Sequence, residues 1–271
     1  MEFVPLASSE RFDALNDGYI DIGSYNSSVT YTREAVHGAA FVHPILFDGE
    51  IFATPKSNVR APSGADVSIH EVEGTRIGMF AGSTTAENVE RYCGREGLGY
   101  TPKLYDSPQE ALAAYLVGEF DLYCIDRYLL AGELVRAGGI DDHVILTDQV
   151  SLEAMSPVAL ASDWQLVRAV KWVLYALIEA DNLGLTRDTA KPASAVVETS
   201  TPYLRRFLSP DAGSARNIGL VPDFTTKILN VVGSYGDVFE RNLGGQSPLK
   251  QQRRANNQRA LGGMLYAPLF I

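Results

Sequence analysis

Two distant segments of the sequence repeat the same strand–helix–strand pattern, and this repeat restricts the possible folds more than any other feature. The matching positions are Ala14-Leu15, Gly18 and Ile20-Asp21-Ile22 in the first segment, and Ala111-Leu112, Gly118 and Phe120-Asp121-Leu122 in the second. Parallel strands joined through a helix need a crossover, so each copy predicts part of a parallel sheet. The repeat predicts two α/β lobes built alike, with one larger α/β domain as the alternative.

Capping and turn residues divide these two copies into elements. The first copy predicts a strand at 2–6, a helix capped by Ser8 or Ser9 with Phe12 and Leu15 buried, and a strand at 19–23. The second predicts an extended segment at 103–105, a helix that starts at the capping box 107–110, and a buried strand at 120–125. Gly18 and Gly118 are expected to end the two helices.

The remaining segments predict how the chain passes between the lobes. Extended apolar runs at 48–55 and 156–161 are the expected crossings. The further predictions are a helix capped by Ser162 and ended by Gly184, a loop-rich connection at 186–217, a helix at 224–239 and an apolar extended tail at 262–271. Arg168 and Lys171 interrupt the apolar run 164–180, which favours a buried helix over a membrane span.

Charge and composition exclude several functions. The chain has 23 Lys and Arg against 33 Asp and Glu, a formal net charge of -10. This balance argues against nucleic-acid binding and against polybasic membrane attachment. Its four histidines lie in no metal-binding motif, so no metal is expected. Cys93 and Cys124 are expected to be buried free thiols, with a disulfide as the alternative.

Polar residues that follow predicted strands are candidates for binding a zwitterion. Arg33, after the hydroxyl-rich run 26–32, has the planar fork that binds a carboxylate. The alternative, which the sequence alone slightly favours, is a solvated arginine on a capped helix. The run Gly82-Ser83-Thr84-Thr85 predicts an anion site at a helix start, or simply a capped helix. Asp126 is placed to bind an ammonium group, or to cap the helix that follows.

Together these groups complement an α-amino acid, whose carboxylate and ammonium need opposite partners. No nucleophile with its base is visible in the sequence, so no catalytic residue is predicted.

Several motifs resemble the family 3 solute-binding proteins of bacterial amino-acid ABC importers, and most of all their general L-amino-acid-binding branch. They are RFDALNDGYID (11–21), NSSVTYTR (26–33), AGSTTAEN (81–88), FDLYCID (120–126), WVLYALIEADNLGLTRD (172–188), VGSYGDVFERNLG (232–244), SPLK (247–250) and GGMLYAP (262–268). The resemblance runs from Glu2 to Ile271.

The resemblance implies a two-lobed α/β periplasmic-binding-protein fold of type II that closes on one L-amino acid. Lobe 1 would comprise 1–53 and 157–271, including a C-terminal extension, and lobe 2 would comprise 54–156. The implied ligand contacts are Arg33 with the α-carboxylate, Ser28 and the Asn26 backbone with the carboxylate and amino group, Ser83 and Thr84 with the carboxylate, Asp126 with the amino group, and Phe80 with the side chain.

The resemblance also implies partners and a location. The protein would deliver amino acids to the membrane subunits of an ABC permease, in the periplasm, without a cofactor. The family's signal peptide, first strand and first helix have no counterpart before Glu2, which predicts a first lobe truncated at its N-terminus. The chain would be cytoplasmic if Met1 is its true start. A second copy, or the tail Met264 to Ile271, would then complete the lobe.

Two alternatives to a binding protein follow. One is an enzyme on the same fold, such as a cyclohexadienyl dehydratase. The other is a truncated remnant that takes no part in transport. The expectation from the sequence is a binding protein, not an enzyme.

Overall fold

The computed structural model describes residues 1–6, 10–25, 27–60, 67–81, 84–189 and 201–271. The strands are β1 (Ile22–Gly23), β2 (Ala39–Phe41), β3 (Leu46–Asp48), β4 (Glu50–Pro55), β5 (Arg76–Phe80), β6 (Thr101–Tyr105), β7 (Leu122–Asp126), β8 (His143–Gln149), β9 (Glu153–Met155) and β10 (Val158–Leu160). The α-helices are α1 (Arg11–Asn16), α2 (Tyr31–His37), α3 (Thr85–Glu96), α4 (Pro108–Leu116), α5 (Arg127–Arg136), α6 (Trp164–Asn182), α7 (Pro202–Leu208), α8 (Ala212–Asn217), α9 (Phe224–Val232) and α10 (Tyr235–Asn242).

The chain forms two compact units. Unit 1 comprises Met1–Phe47 and Ala154–Ile271, and unit 2 comprises Asp48–Glu153. The connecting strands β3 and β9 pair with each other in a two-stranded sheet. The chain therefore returns to unit 1 at β9, a few residues before the segment 156–161 that the sequence indicated, and the boundaries at 53/54 and 156/157 predicted from the sequence lie slightly further along the chain.

Unit 2 is a five-stranded sheet in the order β6-β5-β7-β4-β8, with helices on both faces. Strand β5 runs parallel to β6 and β7, as the repeat predicted, while β4 pairs antiparallel with β7 and β8. Side chains alternate between two cores: Phe52 packs with α3, whereas Ile51 and Ala53 pack with α4 and α5. This double burial explains the nearly continuous apolar sequence of the strands.

The local signals in the second copy of the repeat are confirmed. The hydroxyl of Ser107 accepts a hydrogen bond from the amide of Glu110, and Pro108 occupies the first turn of α4. Gly118, with φ of 77°, ends the turn after α4. Gly78 on β5 leaves room for the ring of Phe120, which a Cβ atom at this position would meet at 2.1 Å. Both cysteines are free and buried.

Unit 1 has a smaller sheet in the order β1-β10-β2, and both pairs are antiparallel. The first copy of the repeat is therefore only partly confirmed. Helix α1 forms and buries Leu15, but the predicted strand 19–23 shortens to Ile22–Gly23 and pairs antiparallel with β10. Residues 1–6 form no strand, because no described strand pairs with their backbone. Ser8 and Ser9 lie outside the described residues.

Three predictions for the C-terminal part of unit 1 are wrong in detail. Asp163, rather than Ser162, caps α6 by accepting a hydrogen bond from the amide of Leu166. The predicted helix 224–239 is two helices, because Gly233 adopts φ of 84° and Ser234 begins α10 with a capping box. The connection 186–217 includes α7 and α8, and residues 190–200 lie outside the described part of the chain.

The tail at the end of unit 1 packs on helices and adds no strand to the sheet. The ring of Phe270 contacts Trp172, Phe207 and Phe224 at centroid distances of 5.1, 5.0 and 6.5 Å. The prediction that Met264 to Ile271 completes the sheet is therefore wrong, because its aromatic side chain is already buried among helices.

Asn256 ties the C-terminal segment to strand β3. Its side-chain oxygen accepts a hydrogen bond from the Phe47 amide at 2.6 Å, and its side-chain nitrogen donates to the Phe47 carbonyl at 2.8 Å. Asn256 is 1% exposed, so these bonds lie away from water.

We expect Asn256→Ala to lower the free energy of unfolding by about 2 kcal/mol, because both backbone groups of Phe47 lose their partner. Chemical denaturation measures this loss. The control Asn217→Ala, at an exposed site on α8, is expected to change stability by less than about 0.5 kcal/mol. Equal stability of the two variants would contradict the prediction.

Candidate functional site

The loop after β1 brings Ser28 to the return strand β9. Ser28 forms an isolated antiparallel bridge with Met155, and the Val29 amide donates to the Ala154 carbonyl at 2.8 Å. Asn26, the preceding candidate residue, lies outside the described residues. The backbone around Ser28 is therefore held in place by strand pairing within unit 1.

Arg33 lies in the first turn of α2 and is tethered to this loop. The hydroxyl of Thr30 caps α2 by accepting a hydrogen bond from the Arg33 amide at 3.2 Å. The Arg33 side chain is half-buried, and its Nη1 donates to the Ser28 carbonyl at 2.7 Å. The helix is thus capped, as expected from the alternative of a solvated arginine on a capped helix. The guanidinium, however, is held by a hydrogen bond and is not simply solvated. A guanidinium has five N–H donors, and this bond uses one.

A second arginine contacts the same loop. Arg11, at the start of α1, donates from Nη1 to the Ser27 hydroxyl at 3.3 Å, and its guanidinium lies 4.9 Å from the ring centroid of Tyr25. None of the ion pairs formed by the described residues includes Arg11 or Arg33. Unit 1 therefore carries two cationic groups here without a carboxylate from the described chain.

Asp126 ends β7 in unit 2, directly before α5, and it does not cap that helix. The amide of Tyr128 in the first turn donates instead to Asp48, at 3.3 Å. Within the described ranges, no hydrogen bond or ion pair reaches the half-buried carboxylate of Asp126. The capping alternative for Asp126 therefore gains no support, and its carboxylate has no described partner.

Three further carboxylates lie near Asp126 in unit 2. Burial raises the pKa of Asp126 to about 7, and the charges of Asp48, Glu50 and Glu153 add to that rise. Burial also raises the pKa of Asp48 to about 6, although hydrogen bonds from the amides of Gly49 and Tyr128 oppose this. An ammonium group brought to this cluster would lower the repulsion among the four acids.

Glu50, on β4, is held by a network of neutral donors. The side-chain amide of Asn88 donates to both carboxylate oxygens at 2.9 Å, and the hydroxyl of Ser151 donates to one of them. Thr84 also donates to Glu50, at 3.5 Å. No described cation pairs with Glu50, so the network orients a carboxylate without cancelling its charge.

The remaining candidates are placed only in part. Thr84 directly precedes α3 and its side chain makes no capping hydrogen bond, so its hydroxyl does not cap the helix. Phe80 is the half-buried last residue of β5. Gly82 and Ser83 lie outside the described residues. Ser28 and Arg33 are thus joined in unit 1, while Thr84 and Asp126 belong to unit 2.

Sequence reasoning did not single out four charged residues that the structure places beside candidate residues: Arg11, Asp48, Glu50 and Glu153. Asp48 and Glu50 stand in the segment 48–55, where two acids interrupt an otherwise apolar strand. That interruption is the sequence feature from which these two acids could have been singled out. Arg11 carried none, because an arginine at the start of an amphipathic helix is ordinary.

Two observations concern other kinds of site. Among the described residues, no group of His, Cys, Asp and Glu is arranged to hold a metal ion. None of the helices in the described ranges combines the length and apolar character needed to cross a membrane.

The fold defines a periplasmic binding protein of type II, with two arginines beside one loop of unit 1 and a cluster of carboxylates in unit 2. Comparison with known proteins agrees. The general L-amino acid-binding periplasmic protein AapJ of Rhizobium johnstonii is 32% identical over 271 residues, which are 99% of this chain and 76% of that protein. The glutamate/glutamine/aspartate/asparagine-binding protein BztA of Rhodobacter capsulatus is 31% identical over 270 residues, or 100% of this chain and 78% of that protein.

A solved structure shows the same likeness. The ABC transporter periplasmic binding protein from Brucella ovis with glutathione bound has a TM-score of 0.84 and 32% identity, covering 100% of this chain and 83% of that chain. No protein-family model matches the chain. The chain belongs to the family 3 solute-binding proteins of amino-acid ABC transporters, and its function is solute binding.

Proposed function

We propose that this protein binds one L-amino acid and delivers it to an ABC permease. Arg33 and Ser28 of unit 1 bind the α-carboxylate, and Asp126 of unit 2 binds the ammonium group. The observation that carries this proposal is the absence of described partners for both charges: Arg33 has no carboxylate, and Asp126 has no cation. A buried charge with a structural role is paired within the protein. A charge that binds a ligand is instead unpaired in the ligand-free protein and gains its partner when the ligand binds.

The named relatives support the class of ligand and the partner. AapJ and BztA are named as amino-acid-binding proteins, and the Brucella ovis protein holds glutathione, whose γ-glutamyl end is an α-amino acid. We infer a periplasmic location because AapJ and the Brucella ovis protein are both named as periplasmic. Hinge closure at the strands β3 and β9 is inferred from the division of the chain into two units. Self-association stays a prediction, which the mass of the purified protein in solution would test.

Titration calorimetry with a panel of amino acids tests the proposal. The panel contains L-glutamate, L-glutamine, L-alanine, L-arginine and glutathione, with D-alanine and acetate as controls that lack the correct stereochemistry or the ammonium group. We expect binding of at least one L-amino acid and none of acetate. No heat and no melting shift with any member would reject amino-acid binding.

We expect affinity to rise with pH and to level off near pH 7. The carboxylate of Asp126, with a pKa of about 7, is protonated in the ligand-free protein at lower pH, and a neutral carboxyl group cannot pair with ammonium. Binding below pH 7 must therefore release a proton, and affinity falls by up to about tenfold per pH unit on the acid side. Asp48, with a pKa of about 6, acts in the same direction.

Calorimetry at pH 5, 6, 7 and 8 measures this dependence. At pH 6, two buffers with different ionisation enthalpies are expected to give different heats, because the released proton is taken up by the buffer. A dissociation constant that stays level from pH 5 to 8 would show that Asp126 is not the ammonium partner.

A carboxyl group with a pKa near 7 is also what a proton-transfer enzyme would use, so turnover is a specific alternative. Incubation with prephenate and arogenate, followed by NMR, separates the two functions. A binding protein leaves both compounds unchanged, and formation of phenylpyruvate or phenylalanine would establish the dehydratase instead.

A further inference from the structure

A cavity of about 460 Å³ lies within unit 1, among its C-terminal helices. Its described lining residues come from α6, α7 and the loop after it, α8, α9 and the tail, and all of them lie between positions 168 and 271. The volume falls in the range of about 300–1,000 Å³ that is typical of small-molecule sites. None of the described residues proposed above to bind the amino acid lines this cavity, so a ligand held here would be bound by a different set of side chains.

Aromatic rings form the apolar wall of the cavity. Trp172 of α6, Phe224 of α9 and Phe270 of the tail all line it. The rings of Trp172 and Phe270 meet edge to face, with centroids 5.1 Å apart and planes at 87°, and the Phe224 ring lies 6.5 Å from that of Phe270. Because these rings hold each other in place, the wall needs little ordering when a ligand binds. Aromatic rings favour edge-to-face contacts, so this wall favours a flat aromatic ligand.

Two arginines supply positive charge at the same cavity. Arg168 lies one turn before Trp172 on the same face of α6, and Arg206 lies near the end of α7. Within the described ranges, neither guanidinium takes part in an ion pair or a hydrogen bond. A guanidinium has five N–H donors in a planar fork that matches a carboxylate. Both arginines are therefore available to an anionic ligand.

The acidic side chain among the described lining residues, that of Asp211, is already engaged within the protein. Its carboxylate accepts a hydrogen bond from the amide of Ser214 at 2.7 Å and caps α8. No ion pair of the described residues joins either arginine to Asp211 or to Ile271. The two guanidinium groups outnumber this one carboxylate side chain, which favours an anion over a cation as the ligand.

We propose that this cavity binds a small aromatic carboxylate that has no α-ammonium group. The ring of the ligand packs against Trp172 and Phe224, and its carboxylate binds Arg206, with Arg168 as the second cation. An ammonium group is not needed, because the cavity's acidic side chain is used to cap α8. This site and the proposed amino-acid site are independent, and either can bind its ligand without the other.

Tryptophan fluorescence tests the proposal on the full chain. The chain has two tryptophans, and Trp164, at the start of α6, is 58% exposed. The variant Trp164→Phe leaves Trp172, in the cavity wall, as the single reporter. The probes are phenylacetate, its neutral analogue phenylacetamide and its saturated analogue cyclohexylacetate.

We expect phenylacetate to change the fluorescence of Trp172 saturably, with a dissociation constant below about 1 mM. Phenylacetamide is expected to bind at least about tenfold more weakly, because it has no charge to pair with a guanidinium. Cyclohexylacetate is expected to bind about three- to tenfold more weakly, because it has no aromatic ring to meet the wall.

Neighbouring arginines on α7 provide a matched control. Arg206→Gln removes a cation that lines the cavity, whereas Arg205→Gln removes the same charge from a position that does not line it. We expect Arg206→Gln to weaken phenylacetate binding by at least about tenfold, and Arg205→Gln by less than about twofold. Both side chains are exposed, so both variants are expected to fold, and thermal unfolding without ligand checks this.

Three results would overturn the proposal: no saturable change up to about 10 mM phenylacetate, equal affinity for phenylacetate and phenylacetamide, or equal effects of the two arginine substitutions. Loss of the signal when L-glutamate is added would assign the probe to the amino-acid site and would overturn it as well. Amino-acid binding itself is judged by calorimetry with L-amino acids, so failure of this second site leaves the proposed function standing.

Discussion

Arg33→Gln is expected to weaken binding of every amino-acid ligand by about 100-fold, or about 3 kcal/mol. The loss is large because the α-carboxylate keeps its charge but loses its guanidinium partner. It applies to glutamate and glutamine alike, since both have the same α-carboxylate.

Titration calorimetry measures the loss, and Arg205→Gln is the matched control, because it removes the same charge from an exposed position in unit 1. The Arg33 variant also loses the bond to the Ser28 carbonyl, so its melting temperature must be measured without ligand. A folded Arg33→Gln protein that binds glutamine as tightly as the wild type would exclude Arg33 from the site.

Asp126→Asn is expected to have opposite effects on binding and on stability. Binding weakens by about 2 kcal/mol or more, because the ligand's ammonium loses its charged partner. The ligand-free protein becomes more stable above neutral pH, because the variant removes one of several carboxylates that repel each other. Stabilisation of about 1 kcal/mol would raise the melting temperature by about 2–4 °C.

The sign of this stability change follows from the pKa. Folding raises the pKa of Asp126 from its usual 3.8 to about 7, so the folded state binds more protons than the unfolded state between these values. The wild type therefore loses stability as pH rises from about 4 to about 7, and the variant does not lose this part. The advantage of the variant is expected to grow over that range and then level off.

Thermal unfolding from pH 4 to 8 measures this difference, and Asp106→Asn, at an exposed site of unit 2, is the control. The control is expected to match the wild type at every pH. If Asp126→Asn is less stable than the wild type at pH 8, the wild-type carboxylate makes a stabilising contact within the protein. That result would contradict its role as the partner of a ligand's ammonium group.

The elements that sequence reasoning predicted well are those set by local chemistry. Ser107 and Pro108 begin α4 because a hydroxyl cap and a fixed φ act within one turn, and Gly118 ends it for a similar reason. The strand at 122–126 follows from a run of apolar residues that is buried on both faces. These features depend only on residues that are close together in the sequence.

The predictions that were wrong concern elements whose structure depends on contacts between residues far apart in the sequence. The segment 19–23 has a sequence typical of a strand, but only Ile22–Gly23 pairs with β10. The paired segment is short because β10 itself has only three residues. The capping residue of α5 is also decided over distance: Asp126 stands at the capping position, yet Asp48, 80 residues before Tyr128, accepts the hydrogen bond. A local rule assigns that cap to the wrong carboxylate.

Sequence patterns predict the type of chemistry: an arginine after one strand and an aspartate after another, in a family that binds amino acids. Which charges lie close together depends on the folded structure. It set Arg11 beside Arg33 through Ser27 and Ser28, and it gathered three further acids around Asp126. The physical reason is that capping and periodicity act over a few residues, whereas charges interact through space and depend on how the chain packs.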